Sequence, residues 1–298
     1  MQKIRGWLLA SSLVLLAPSS YGQVTASLAA SVAGPVTSPV TSPATLNVKT
    51  FDLREGFLIV VDGRIGPLEH LKFILDTGAS HTVVSRKIAD RLGVWREAGS
   101  VINFQSKLPV EWARFPEVQV GPIVATDARM MVADLNQSSE FAKDIDAVAG
   151  LDLLSRCQRL RIDYEAKLIT FQTRNSVSQV PLLQAKGIFV TLMLQDQPVH
   201  LLVDTGFQEI ALFEERLRPR MHGVDVQRLG EARIGSLVAD AVRLPGLQLG
   251  SAGPNPLVLL VRGNTEAVPG GLDGYLGPRA LGAKKIELDF ASMMLRWQ

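Results

Sequence analysis

Phe73-Ile74-Leu75-Asp76-Thr77-Gly78 is answered 128 residues later by Leu201-Leu202-Val203-Asp204-Thr205-Gly206. In each stretch an apolar run suited to a core strand ends in a carboxylate. A carboxylate taken out of water without a partner costs several kcal/mol, or its pKa shifts until it is neutral. Two such residues in one chain point to a pair that face each other. Two Asp side chains at close range cannot both ionise, so they share a proton, one acting as base and the other as acid. Such a pair can activate a water molecule against an amide.

Asp and Gly are also turn residues, so the tripeptide alone would read as a turn. The correspondence runs much further than the tripeptide. Gly56 to Val60 answers to Gly187 to Thr191, and Arg114 to Gly121 answers to Arg243 to Gly250. Asp146-Ala147-Val148-Ala149-Gly150 answers to Asp273-Gly274-Tyr275-Leu276-Gly277, and Ile162-Asp163-Tyr164 to Leu288-Asp289-Phe290. The offsets are 131, 128, 129, 127 and 126 along the chain, a drift of a few residues. The pattern predicts one unit present twice, with its elements in the same order.

The 298 residues suffice for two domains, each with its own core, and 47% hydrophobic against 20% charged residues is a globular balance. The net charge is +2, with no basic patch and few aromatics, which argues against nucleic-acid binding. Lys3 and Arg5 precede an uncharged, apolar stretch from Trp7 to Ala17, and Ser20 and Gly22 suit cleavage before Gln23. Residues 1–22 therefore read as a signal peptide, too short to span a bilayer, and the protein as exported, periplasmic or secreted. Residues 23–48, rich in Ala, Ser, Thr, Val and Pro, read as a flexible tether. The one cysteine, Cys157, excludes an internal disulfide and reads as a small buried hydrophobe.

In the first unit, residues 49–174, Phe57 to Val61 reads as a strand, Asp62-Gly63 as a turn, and Leu71 to Leu75 as the strand leading into Asp76. Ser85 is a helix N-cap with Ile88 and Leu92 on one face and Gly93 as the stop. The second unit, residues 175–298, repeats this with Ile188 to Leu194, a turn at Gln195-Asp196-Gln197, and Val199 to Val203. Short helical segments follow at Leu151 to Ser155 and Arg279 to Leu281. A pair of strands closes each unit, Leu160-Ile162-Tyr164 and Ile286-Leu288-Phe290 each showing one apolar face. Thr173 to Ser178 suits a linker.

On these motifs the chain resembles the aspartic peptidases. Each unit looks like a retropepsin-type domain, and the tandem arrangement is similar to the pepsins and to bacterial exported retropepsin-like proteins. The resemblance implies a mostly β fold: two pseudo-symmetric, acid-protease-type β-barrel lobes with short helices. It implies that Asp76 and Asp204 are the catalytic dyad that holds the hydrolytic water. Thr77 and Thr205 would bond across the lobes, and Gly78 and Gly206 would let backbone N–H groups approach the carboxylates. The apolar-apolar-Gly motifs ending at Gly150 and Gly277 would pack behind the two loops. No metal and no cofactor is required, and the partner is a peptide or protein substrate met by a monomer with intramolecular lobe pairing. Hairpins around Gly99 to Trp112 and Gly230 to Val238 are candidate flaps.

The second motif departs from the first. After Gly206 come Phe207 and Gln208 where the first has Ala79 and Ser80, and Ile210 stands where the first has Thr82. Phe207 sets a large ring beside the carboxylate loop, so catalysis requires it to point away. Three readings stay open: an aspartic endopeptidase, a peptide-binding module of the same fold that does not cleave, and a homodimeric interaction protein in which lobes of two chains pair. The histidines, His70, His81, His200 and His222, make no metal-ligand spacing. No Gly-x-Ser-x-Gly elbow supports a serine triad.

Overall fold

The computed structural model describes residues 5–6, 45–103, 106–135, 144–173, 187–234, 237–248, 256–263, 265, 268, 271–291 and 294–298. The residues read as a signal peptide and most of those read as a tether, apart from the pair Arg5–Gly6 and the strand from Thr45, lie outside these residues, as do residues 174–178 of the expected linker. The chain is mostly β, with a few short helices, in three sheets.

The first sheet has eight strands, in the spatial order Asp52–Arg54, Leu58–Ile65, Leu68–Leu75, Ala147–Ala149, Val83–Ser85, Ile123–Ala133, Ser106–Val120 and Arg96–Asn103. Leu58–Ile65 also pairs with Ser106–Val120, Gly63 opposite Val120 and Ile65 opposite Val118, which closes the sheet on itself. The second sheet takes its strands in a matching order: Phe189–Leu194, Gln197–Val203, Gly274–Leu276, Ile210–Phe213, Leu257–Val261, Leu237–Arg243 and Gln227–Ile234. Leu247–Gln248 lies at one edge, and Arg5–Gly6 pairs in parallel with Arg233 and Ile234 at the other.

The strands that carry the aspartates are central and buried on both faces, which is why they read as unbroken apolar runs. Phe73, Ile74 and Leu75 pair in parallel with Ala147, Val148 and Ala149, and Leu201, Leu202 and Val203 with Gly274, Tyr275 and Leu276. Behind each lies the same pair of anchors. Asp146 accepts the Lys72 N–H at 2.9 Å and returns its own N–H to the Lys72 carbonyl at 3.0 Å. Asp273 does the same with His200, at 2.9 and 2.8 Å. The helix Arg86–Leu92 begins and ends as its caps dictate. Ser85 accepts the Ile88 N–H, and Gly93 turns the chain out in the left-handed region at φ 61°.

The third sheet takes strands from both halves of the chain. Its order is Thr45–Thr50, Leu168–Thr173, Arg159–Asp163, Lys285–Asp289 and Met294–Trp297. Each unit has its closing strand pair, Arg159–Asp163 with Leu168–Thr173 and Lys285–Asp289 with Met294–Trp297, and the two pairs meet, Leu160 opposite Leu288 and Ile162 opposite Ile286. Their inward faces are apolar, and outside the sheet Arg159 pairs with Asp289 at 2.7 Å and Arg161 with Glu287 at 2.6 Å. The main core cluster runs continuously from residues of the first sheet, through this shared sheet, to residues of the second. Cys157 sits in it, fully buried, its thiol pushed up to about 12 by burial.

Two expectations fail. The tether does not reach residue 48, because Thr45–Thr50 pairs along its full length with Leu168–Thr173. Asp62-Gly63 is not a turn: the strand continues to Ile65 and the chain turns at Gly66, at φ 54°. Gly63 is there for space. A Cβ on it would stand 2.6 Å from the Gln119 carbonyl oxygen and 2.7 Å from the Phe73 ring.

Candidate active site

Asp76 and Asp204 stand where the two central strands end. Each is tied by its N–H to the neighbouring parallel strand, Asp76 to the Ala149 carbonyl at 3.0 Å and Asp204 to the Leu276 carbonyl at 2.9 Å. The next residue of that neighbour is Gly150 or Gly277. A Cβ at Gly150 would lie 2.6 Å from the His81 carbonyl oxygen, and one at Gly277 would lie 2.6 Å from the Gln208 carbonyl carbon. Both glycines are thus places where the strand behind touches the backbone of the carboxylate loop.

The two loops face each other and are locked together by four hydrogen bonds. Thr77 N–H donates to Thr205 Oγ1 at 3.1 Å, and Thr205 N–H donates to Thr77 Oγ1 at 3.1 Å. The hydroxyls then donate across, Thr77 to the Val203 carbonyl and Thr205 to the Leu75 carbonyl, both at 2.8 Å. Every one of these groups is buried, so no water competes for them. The lock brings each glycine against the opposite carboxylate. A Cβ on Gly78 would meet Asp204 Oδ1 at 2.7 Å, and one on Gly206 would meet Asp76 Oδ1 at 3.0 Å. Any other residue would push the pair apart.

Both carboxylates are 0% exposed. Gly78 N–H at 2.8 Å and Ala79 N–H at 3.3 Å donate to Asp76 Oδ1, whereas Asp204 Oδ1 receives Gly206 N–H at 2.8 Å. The Phe207 N–H bonds instead to the Asp204 carbonyl, at 3.2 Å. Oδ2 of each carboxylate is buried with no donor among the described residues. Burial drives the Asp204 carboxyl well above the usual range, and the neighbouring Asp76 charge drives it further. Burial also raises Asp76, but the facing Asp204 carboxyl and the Gly78 and Ala79 N–H groups work against that rise. The two sites are therefore unequal, with the Asp204 carboxyl raised further than that of Asp76.

Residues 30–156, just under half the chain, match the family described as "gag-polyprotein putative aspartyl protease". That stretch is similar to aspartyl proteases. Among solved structures the chain is similar to a retropepsin-like aspartic protease from Rickettsia conorii, at 16% identity and a TM-score of 0.32, covering 44% of this chain and 94% of that one. No curated protein matches.

Phe207 follows the second carboxylate loop and is 2% exposed. Its ring is buried with Leu202, Ala211, Phe213 and Tyr275 in an apolar cluster of the C-terminal half. The hairpin residues Ala232, Ile234, Ala239 and Ala241 belong to the same cluster. The corresponding cluster of the N-terminal half holds Ala79, Val83, Val101, Trp112, Met131 and Val148. The candidate flaps are hairpins, Arg96–Asn103 with Ser106–Val120 and Gln227–Ile234 with Leu237–Arg243, and each packs side chains onto its own carboxylate loop.

Two features escaped the sequence reading. Asp152 is half-buried and accepts both the N–H and the hydroxyl of Thr82, at 2.8 and 2.6 Å, while Thr82 Oγ1 accepts the Gly150 N–H. The C-terminal half has Ile210 and Arg279 at these places, and Gly277 N–H bonds to the Glu209 carbonyl at 2.7 Å instead. The paired differences Thr82/Ile210 and Asp152/Arg279 were the signal. Second, the His81 ring stands edge-on to Trp112, 5.1 Å between centroids, and the Arg129 guanidinium covers Trp112 at 4.5 Å. No group of three or more His, Cys, Asp or Glu among the described residues could hold a metal ion.

Proposed function

We propose that the chain is an exported, single-chain aspartic endopeptidase whose two halves act as pseudo-symmetric lobes around one dyad, Asp76 and Asp204. The observation that carries the reading is the pair of fully buried, unequal carboxylates locked face to face. Aspartyl-protease similarity over residues 30–156 supports the same chemistry.

Asp76, with the larger set of N–H donors, is the ionised base, and Asp204 carries the proton. A water held between them gives one proton to Asp76 as its oxygen bonds to the peptide carbonyl carbon. Asp204 gives its proton to the carbonyl oxygen, so the tetrahedral intermediate is a neutral diol. When the C–N bond breaks, Asp76 passes its proton to the leaving nitrogen. One hydroxyl of the diol returns a proton to Asp204, leaving a carboxylic acid product and the dyad as it began. No covalent bond to the protein forms. The four threonine bonds keep the dyad in register throughout, which is where pre-organisation enters.

The test is the rate of cleavage of an unstructured protein substrate by Asp76→Asn and Asp204→Asn variants. Each should lose at least about a thousand-fold in rate, acid–base groups acting as a unit, while keeping the wild-type far-UV spectrum. An active Asp204→Asn enzyme would refute the dyad. A wild-type chain that binds extended peptides without cutting them would establish the binding-module reading, which the missing Thr82-type brace in the C-terminal half favours.

A further inference from the structure

The short helix Glu214–Leu217 carries a cation that the proposed mechanism does not use. Arg216 sends its guanidinium to three backbone carbonyls of one segment, Leu272 at 2.8 Å, Thr265 at 3.0 Å and Val268 at 2.5 Å. Its helix neighbour Glu215 adds two more bonds, accepting the Thr265 N–H at 3.1 Å and the Thr265 hydroxyl at 3.0 Å. Thr265, Val268 and Leu272 are all buried. A buried carbonyl without a donor weakens a fold, and here one planar side chain serves three of them. At the corresponding place of the N-terminal half, 128 residues earlier, stands Ile88, a buried apolar side chain that can make no such bonds.

What this clasp holds belongs to the surroundings of Asp204. Val268 and Leu272 lie in the apolar cluster that also contains Leu202, Phe207 and Tyr275. Leu202 is two residues before Asp204, Phe207 is three after it, and Tyr275 pairs with Leu202 on the strand behind. Leu272 leads through Asp273 into that strand, Gly274–Leu276, whose last residue accepts the Asp204 N–H. The Tyr275 phenol is within electrostatic reach of both Asp204 and Arg216. The N-terminal half steadies its carboxylate loop by other means, the bonds of Thr82 to Asp152 and Gly150, which Ile210 cannot reproduce.

We propose that Arg216 is a positioning residue for the Asp204 half of the dyad. By gathering the Thr265, Val268 and Leu272 carbonyls it keeps Val268 and Leu272 seated with Phe207 and Tyr275, and that cluster keeps water from the side on which Asp204 stands. Phe207, which breaks the match between the two motifs, is then part of a seal. For its effect on cleavage this deepens the peptidase reading and rests on it. Arg216 acts on Asp204 in two ways of opposite sign: its charge favours the ionised carboxylate, and its clasp, by excluding water, favours the protonated one. The ionisable groups around Arg216 are Asp273, Glu215, Tyr275 and Arg220, and those around Asp204 are Asp76 and Tyr275. Arg216 and Arg220 are balanced by Asp273 and Glu215, so the direct field is weak and the clasp dominates.

The test reads the upper titration of the pair at the carboxyl-carbon NMR resonance of Asp204, identified by its loss in Asp204→Asn. In parallel, kcat and KM for an unstructured protein substrate are followed across pH. Arg216→Met removes both clasp and charge, whereas Arg216→Lys keeps the charge but lacks the two-nitrogen fork. In both variants the Asp204 titration should move toward acid by roughly one pH unit. On the alkaline side kcat should fall about ten-fold, as a one-unit shift requires, with KM nearly unchanged. Should Arg216→Met not fold, Arg216→Lys decides alone. A folded variant with the wild-type titration overturns the proposal, because the bonds are then structural only. A shift toward alkali in Arg216→Met, with none in Arg216→Lys, overturns it in favour of direct charge. An acid shift of Asp204 in a chain that cleaves nothing would sink the peptidase reading and leave the role of Arg216 standing.

Discussion

The two aspartates differ by the company each keeps, and that difference has a measurable consequence. Asp76 Oδ1 draws two backbone N–H groups and Asp204 Oδ1 one, because the Phe207 N–H is spent on the Asp204 carbonyl. Burial raises both carboxyls above their unfolded values, Asp204 the further. A raised carboxyl contributes stability that is complete below the unfolded pKa and is lost as pH rises through the folded one. The wild-type thermal midpoint should therefore fall as pH climbs from the acid range, and the Asp204→Asn variant should show a shallower fall. Superimposable curves for the two proteins would contradict this sign. Cleavage should follow the same titration, highest while the pair holds one proton and declining as that proton is lost. Both aspartates were legible from the sequence, because Asp-Thr-Gly after an apolar triplet occurs twice. Asp152 was not: its meaning lies in its bonds to Thr82, and a sequence states no partners.

At the scale of elements, what could be read was whatever local chemistry determines. Ser85 and Gly93 bound their helix because each satisfies backbone groups within the same few residues. Gln195 and Asp196 turn the chain with positive φ at both, the backbone that a two-residue hairpin turn requires. Asp62-Gly63 misled because the reason for Gly63 is remote, a strand 56 residues on whose Gln119 carbonyl leaves no space for a Cβ. Gly63→Ala should accordingly lower stability by about 1–3 kcal/mol, the usual cost of overpacking. Gly230→Ala supplies the contrast. It too lies at a strand irregularity, but nothing stands within 4 Å of its Cβ position and its φ is ordinary. That substitution should be neutral or stabilising by a few tenths of a kcal/mol. Chemical denaturation of the two variants decides it, and equal losses would refute the steric account. The shared sheet was also beyond reach: alternation in 160–164 and 286–290 announces one buried face but not that the two strands lie side by side.

Across the whole molecule, the halves are joined at two levels, by the threonine lock beneath the dyad and by five rungs between Arg159–Asp163 and Lys285–Asp289. The main core is continuous through that junction. Unfolding should therefore be a single transition, with far-UV circular dichroism and tryptophan fluorescence tracing one curve in urea. Trp112 reports from the first hairpin and Trp297 from the far edge of the shared sheet. Two separated midpoints would show that the halves hold on their own. The same junction limits how the molecule can breathe. A jaw-like parting of the halves would have to tear a hydrogen-bonded seam and four buried bonds at once, whereas a hairpin needs only to lift its own side chains from the loop beneath. A substrate should therefore reach the dyad by displacing the hairpins, as through doors, while the seam between the halves stays closed.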